Sequence, residues 1–289
     1  MSAVADYYSG NADRLAEAYE SVTFEQVHQG ALTLLPAEGV HVLDVGCGSG
    51  RDAAALAQRG HRVIGVDQCP AMIQHARRLH GEGVAWVLDS LPDLSTLCGH
   101  RFELILVSAV WMHLEPEQRA RALSRLSDLL ADDGQLLISL RFGPAEPARG
   151  LHRVSIAEIF DQADALDLVV HDGIDQADSL GRGEITWHTL ALRRRRQPHK
   201  FDKAQRELAR HALGLPSKFN RSYRNRFYAH VDGKDHAIWM DMVDSGLARR
   251  SRAPAPDFVW FWLTPKGAEL ALNAREKLCR EDFPGHPCS

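Results

Sequence analysis

The stretch Asp44-Val45-Gly46-Cys47-Gly48-Ser49-Gly50 closes a short β-rich run, His41-Val42-Leu43-Asp44-Val45, and leads into the helix-forming run Ala53-Ala54-Ala55-Leu56-Ala57. Its alternate glycines permit positive φ and let backbone NH groups approach a ligand closely. In open α/β sheets, ligands sit beyond the carboxyl ends of the strands, where such a turn falls. The spacing is GxGxG. Arg51 stands where the dinucleotide fingerprint would place its third glycine, which counts against a nicotinamide dinucleotide.

Reading outward from this turn, apolar runs alternate with helical patterns. Residues 62–66 and 84–88 predict strands, and the almost wholly apolar 104–107 predicts one buried on both faces. Residues 135–140 follow the turn Asp132-Asp133-Gly134 as a fifth strand, and 166–170 and 185–192 supply two more. Helices are expected at 71–79 and 116–130, the second with Pro116 in its first turn. Strands separated by helices predict an α/β fold, a doubly wound, seven-stranded and mainly parallel sheet.

Two carboxylates give the turn its context. Asp67 ends the second strand, where a carboxylate can accept hydrogen bonds from both hydroxyls of a ribose. Asp89 ends the third strand and is placed for the exocyclic amine of an adenine. Met72, at the start of the intervening helix, is open between covering the adenine face and packing in the core.

These residues resemble the class I S-adenosylmethionine methyltransferases over about residues 5–192. The matching segments are Val42 through Asp52, Val66-Asp67-Gln68-Cys69-Pro70-Ala71-Met72 and Asp89-Ser90-Leu91-Pro92. Ser108-Ala109-Val110-Trp111-Met112-His113-Leu114 and Leu140-Arg141-Phe142-Gly143-Pro144 also look like a bacterial subgroup of that family. The resemblance implies S-adenosylmethionine as cofactor. It puts Asp44 near the methionine amino group, and the Gly46–Gly50 backbone, Cys47 and Gly48 included, around methionine and ribose. Backbone at Ser108 and Val110 closes the methionine end. Gln68 departs from the usual pattern, so its part in ribose contact stays open. Aromatic-rich leaders in relatives fold over the cofactor, which makes Tyr8 and Arg14 candidates to touch the methionine carboxylate; a helix docked on the sheet is the other reading.

Methyl transfer from a sulfonium depends chiefly on holding donor and acceptor in line. A base is needed only if the acceptor keeps its proton at neutral pH. His113, after the fourth strand, is the candidate base, against a packing or capping role. Trp111 is read as a wall of the acceptor pocket. Arg141, past the fifth strand, is read as a partner for an acidic acceptor or as a surface residue. The nucleobase amino-methylating enzymes carry a (D/N/S)PP(Y/F/W) tetrapeptide after strand four. Ser108-Ala109-Val110-Trp111 lacks those prolines, and no Pro-Cys nucleophile is present, so a small-molecule acceptor, methylated on O or N, leads.

The 289 residues carry a net charge of −4 that hides an asymmetry: residues 1–190 hold 14 Arg and no Lys against 27 acids, while 191–289 hold 20 basic residues against 11 acidic. The shift predicts a domain at 1–192, a basic linker at 193–199 and a basic domain at 200–289. In the latter, helices at 204–213 and 237–243, a strand at 258–263 and a helix from the Thr264-Pro265 cap to about Leu278 resemble a winged-helix module and small phage-encoded proteins. Lys218, Arg221, Arg224 and Arg226, interleaved with Phe219, Tyr223, Phe227 and Tyr228, are open between tracking a phosphate backbone and packing. A nucleic-acid-associated or regulatory methyltransferase is accordingly the rival to the small-molecule enzyme. Five scattered cysteines without a CxxC pair suit reduced thiols in a cytoplasm, and no histidine pattern predicts a metal. No apolar stretch reaches the roughly 18 residues of a membrane span.

Overall fold

The computed structural model describes residues 3–37, 39–144, 146, 149–171, 173, 175–195, 200–231, 233–251 and 257–284. They fall into two compact units, Met1–Arg194 and Arg195–Ser289.

The first unit begins with helices α1 (Ala3–Gly10), α2 (Ala12–Glu20) and the single turn α3 (Phe24–Val27), the last fixed by a capping box between Thr23 and Gln26. Then come β1 (His41–Val45), α4 (Arg51–Gln58), β2 (Arg62–Asp67), α5 (Pro70–His80), β3 (Ala85–Leu88) and β4 (Phe102–Val107). The unit ends with α6 (Pro116–Leu129), β5 (Leu130–Phe142), α7 (Ile156–Ala165), β6 (Leu168–His171), β7 (Asp175–Ala177) and β8 (Thr186–Arg194). The sheet order is β3-β2-β1-β4-β5-β8-β6, with β7 also paired to β8. β1 to β5 are mutually parallel, and β8 alone runs antiparallel between β5 and β6.

Alternation along the strands explains the two layers. On one face Leu43, Val45, Ile105 and Ile138 pack with Leu123 and Leu126 of α6 and Ile159 of α7. On the other, Val42, Leu104, Leu106 and Leu137 pack with Ala53 and Leu56 of α4 and Ile73 and Ala76 of α5. Both faces are covered by helices, so the central strands read as continuous apolar runs.

The structure departs from sequence expectation at several elements. β5 starts at Leu130, so Asp132-Asp133-Gly134 is not a turn before the strand. It lies inside it as an irregularity, where Phe102 pairs with Leu130 and Leu104 already pairs with Gln135. β7 is a seventh-position edge segment: it occupies the same side of β8 as β6, against residues 186–188 rather than 191–194. Arg193 and Arg194 are not linker. They end β8, and their guanidinium groups reach the Gln135 side chain and the carbonyls of Ser127 and Leu130. The rest of the expected linker, from Arg196 to His199, lies outside the described residues.

The second unit contains α8 (Lys203–Leu213), β9 (Phe227–His230), α9 (Lys234–Asp244), β10 (Ala248–Arg250), β11 (Phe258–Leu263) and α10 (Pro265–Ala271). The three strands form an antiparallel sheet in the order β10-β11-β9. A strand therefore stands between the two leading helices and joins the sheet, which the expected succession of two helices, strand and closing helix did not contain. α10 also stops at Ala271 instead of running to Leu278, because Leu272 takes an extended conformation at its C-cap and Lys277 bridges to Arg221. The core is aromatic: Trp239 stacks between Phe227 and Phe261, with ring centroids at 5.3 and 5.4 Å. Arg210 grips Glu276 through two bonds of 2.6 and 2.7 Å, which hold the Glu276 carboxyl at about 2.

Candidate functional site

At the end of β1 the NH groups of Gly46 and Cys47 both donate to the carbonyl of Val66, at 2.7 and 2.9 Å, and turn the chain out of the sheet. Gly46 has φ +70, and a Cβ there would stand 2.3 Å from Val110 Cγ2. Gly50, at φ +94, caps α4, and a Cβ would meet the Trp86 ring at 2.6 Å. Neither position tolerates a side chain.

This turn borders a cavity of about 590 Å³ in the first unit, within the size range of small-ligand sites. Asp44 lines it from beneath. Its Oδ2 has no hydrogen-bond partner among the described residues. Burial, reinforced by the nearby Asp52 carboxylate, raises the Asp44 pKa well above the ordinary carboxylate range. Asp67 also lines the cavity and is raised by burial, although Gly48 N donates to Oδ2 at 2.9 Å and Cys69 N to Oδ1 at 2.8 Å. Asp52 behaves differently. Burial pushes its pKa up, but His28 Nε2 at 2.8 Å and Arg51 Nε at 2.7 Å overcome that and keep it ionised. Asp89 lines the cavity while serving its own turn: Ser90 N donates to Oδ1, and Thr96 N and Oγ1 donate to Oδ2.

On the same cavity, α1 and the turn after β4 meet. His113 Nδ1 lies 3.2 Å from the Gly150 carbonyl, which can only accept, so Nδ1 carries the proton. Burial lowers the His113 pKa to about 4, leaving the ring neutral, and Nε2 accepts from the Tyr8 hydroxyl at 3.1 Å. The Tyr19 hydroxyl donates in turn to Tyr8 at 3.5 Å. Ala109, beside Ser108, is held at φ +56 with its NH donating to Ser139 Oγ at 2.8 Å, which bends the chain after β4 over the glycine turn.

Of the expected site residues, Tyr8, Asp44, Gly46, Cys47, Gly48, Asp67, Gln68, Asp89, Ser90, Leu91, Ser108, Val110 and His113 border this one space. Others do not. Trp111 is fully buried in the core under α6, so it is no pocket wall. Met72 is fully buried with Leu15 and Cys69, which decides its open alternative for packing. Arg141 is neither on the surface nor in the cavity: it donates to the Pro144 carbonyl at 2.9 Å and to Glu146 at 3.2 Å. Arg14 is exposed and bonded to Tyr7 and Asn11. Gly50 acts through the backbone of α4 and does not line the cavity.

Sequence reasoning missed Tyr19, the His28–Asp52 pair and a polar rim around β7 and β8. There Asp178 takes Arg182 Nε at 2.9 Å and Trp187 Nε1 at 2.9 Å, and these bonds outweigh burial to hold its carboxyl at about 2. Asp52 stands two residues past the quoted turn, and an acid in the first turn of α4 is the signal that could have found it. Arg182 and Trp187 carry no local signal, since only the β7–β8 pairing brings them to the site. Among the described residues no cluster of His, Cys, Asp or Glu is arranged for a metal, and no helix is long and apolar enough to cross a membrane.

Residues 42–134, which span the glycine turn, both strand-end acids and the His113 turn, match the methyltransferase domain family. Over those residues, about a third of the chain, it is similar to that family. The 2-heptyl-1-hydroxyquinolin-4(1H)-one methyltransferase of Mycobacteroides abscessus is 33% identical over 117 residues, 39% of this chain and 52% of that protein. The ubiquinone biosynthesis O-methyltransferase of Cereibacter sphaeroides is 35% identical over 83 residues, 28% of this chain and 33% of that protein. The chain thus spans about half or less of the curated relatives it matches. In fold, the chain resembles Burkholderia thailandensis 1,6-didemethyltoxoflavin-N1-methyltransferase, solved with 1,6-didemethyltoxoflavin and S-adenosylhomocysteine. The TM-score is 0.53 at 22% identity, over 66% of this chain and 87% of that one.

Proposed function

We propose that the protein is an S-adenosylmethionine-dependent methyltransferase acting on a small-molecule acceptor at oxygen or nitrogen. One observation carries the reading: the unpartnered Asp44 carboxylate oxygen, the glycine turn and the strand-end acids Asp67 and Asp89 border the same cavity as the Tyr8–His113 pair. The residues suit the cofactor. Asp44 offers a buried acceptor to an ammonium group, and Gly46 leaves room for nothing but backbone beside Val110. Each Asp67 oxygen takes one NH and keeps a lone pair for a hydroxyl. Asp89 Oδ1 likewise has capacity left for an amine.

When bound, the cofactor supplies a methyl group on a positively charged sulfur. The chain's own contribution is position, charge and one fixed hydroxyl. Asp44, Asp67 and the ionised Asp52 make the cavity beside them favourable for a cation. On the same lining, neutral His113 holds the Tyr8 hydroxyl in place through a tautomer fixed by Gly150. An imidazole with a pKa of about 4 is a weak base. It suits an acceptor that arrives as an acidic hydroxyl or as a neutral amine, needing orientation more than deprotonation. The Mycobacteroides abscessus relative is named for a 1-hydroxyquinolone, a small molecule that carries a hydroxyl group.

The test is calorimetric titration of the full chain with S-adenosylhomocysteine, followed by methyl-label transfer into a fractionated small-molecule extract. Binding, and label in a compound bearing an acidic hydroxyl or an amine, is the expected result. Absence of binding at millimolar ligand, or label confined to nucleic acid or protein, overturns the reading.

A further inference from the structure

In the second unit, β11 is aromatic on both faces. Val259, Phe261 and Leu263 point into the core, as alternation requires, while Trp260 and Trp262 remain 44% and 37% exposed. The core already has its aromatic filling in Trp239, Phe227 and Phe261, so packing does not account for the outer row. Strand register completes it. Tyr228 of β9, 51% exposed, pairs with Trp260, at a ring-centroid distance of 5.3 Å, and stands 4.7 Å from Phe258. Trp262 pairs across β10 with exposed Arg249, and exposed Arg226 precedes Tyr228 by two residues, in step with it. His230 and Ser251 complete the same face. Among these described positions there is no carboxylate.

We infer that this outer sheet face, with Trp260, Trp262 and Tyr228 as a stacking platform and Arg226 and Arg249 beside it, binds single-stranded nucleic acid. Exposed flat rings pair with bases because every base has a π face, and guanidinium groups pair with the phosphates that follow. Charge complementarity points the same way: from Arg195 onward the chain has 18 basic residues against 11 acidic, which favours a polyanion over a basic partner. A duplex hides its base faces, so the platform favours single strands. The platform differs from the basic cluster visible in the sequence: Phe227 turns inward onto Trp239, while Tyr228 and Arg226 face outward.

The experiment uses the full chain with fluorescein-labelled oligo(dT), oligo(rU) and a duplex of equal length. Anisotropy gives affinity, and the part of the tryptophan quenching that W260A/W262A abolishes reports on Trp260 and Trp262 among the chain's six tryptophans. Expected are single-strand binding at low salt, quenching of tryptophan emission, weakening with salt and a lower affinity for duplex. The double variant W260A/W262A weakens binding roughly tenfold or more, given the cost of losing base stacking. R226A/R249A lessens the salt dependence by about two counterions' worth. The two strands separate the sources: a preference for oligo(rU) assigns RNA and the reverse assigns DNA, each supporting the site. Four results overturn it: no binding at low salt, binding indifferent to W260A/W262A in protein whose melting is unchanged, equal variant-sensitive binding of poly-glutamate, or self-association that the same variants abolish.

Discussion

The cavity in Met1–Arg194 is lined by two groups of side chains built on opposite physics. In the charged group, Asp44 is buried and Asp67 half-buried at the carboxyl ends of adjacent parallel strands, beside a third acid, with a glycine turn over them. In the neutral group, Tyr19, Tyr8 and neutral His113 form a hydroxyl-to-imidazole chain that carries no charge. The charged group is held by sheet register and by short-range contacts. The neutral group joins side chains 105 positions apart, Tyr8 and His113, through the docking of a helix. One group is thus suited to fix a cationic ligand rigidly, the other to admit varied acceptors. Damage to either should leave the other nearly intact.

The sharpest attempt to break this division is Asp44→Asn. It removes the buried charge from the charged group and should cost at least about 100-fold in affinity for S-adenosylhomocysteine by calorimetry, as expected for a lost buried charge partner. Stability should move the other way. Burial raises the Asp44 pKa in the folded chain, so the unfolded chain ionises first and the free protein loses stability as pH rises through the folded pKa. The Asn variant lacks that loss, and its melting temperature without ligand should equal or exceed wild type at pH 8. A variant that melts lower at pH 8 yet binds normally would show Asp44 to be a structural acid.

His113→Gln probes the neutral group. Turnover of the acceptor found by label transfer should fall at least about tenfold, while S-adenosylhomocysteine affinity changes by less than about threefold. Here the pH sign is reversed. The folded pKa of about 4 lies below the usual histidine value, so its contribution is full above pH ~6.5 and is lost as pH falls toward 4. Melting curves from pH 7 to 4.5 should drop more steeply for wild type than for the Gln variant, by an amount on the order of 2 kcal/mol. Parallel curves would remove the neutral, buried imidazole from the argument.

Legibility in the sequence followed the same division. Glycine turn, Asp67 and Asp89 were readable because each sits at or just past the end of a strand, and strand ends converge in a doubly wound sheet. Trp111 and Arg141 misled for a related reason: they also flank strand ends, but their side chains take the wrong direction. Trp111 turns under α6, and Arg141 is drawn to Glu146 and the Pro144 carbonyl. No periodicity encodes that choice. The Arg182–Asp178–Trp187 rim escaped notice because it depends on β7, a three-residue edge segment too short to leave an alternation.

Arg141→Ala tests the correction itself. Losing a largely buried guanidinium that satisfies Pro144 and Glu146 should cost about 1–3 kcal/mol in urea melts, with the acceptor KM within twofold of wild type. A large KM rise with unchanged stability would return Arg141 to the acceptor site.

The smallest effects separate two residues that sequence placed together. Tyr8→Phe keeps the ring but removes the hydroxyl bound to His113 and Tyr19, one net hydrogen bond of about 1 kcal/mol, so turnover should fall by roughly fivefold. Arg14→Ala deletes an exposed side chain whose partners are the Tyr7 hydroxyl and the Asn11 side chain. Turnover and cofactor affinity should both stay within twofold, since exposed contacts of this kind contribute little. The pair discriminates between two roles for α1 and α2. If only Tyr8→Phe matters, the helices serve the site by delivering one hydroxyl to its neutral group. If Arg14→Ala weakens cofactor binding as much, the helices must rearrange over the ligand, and the charged group reaches further than the strand-end acids.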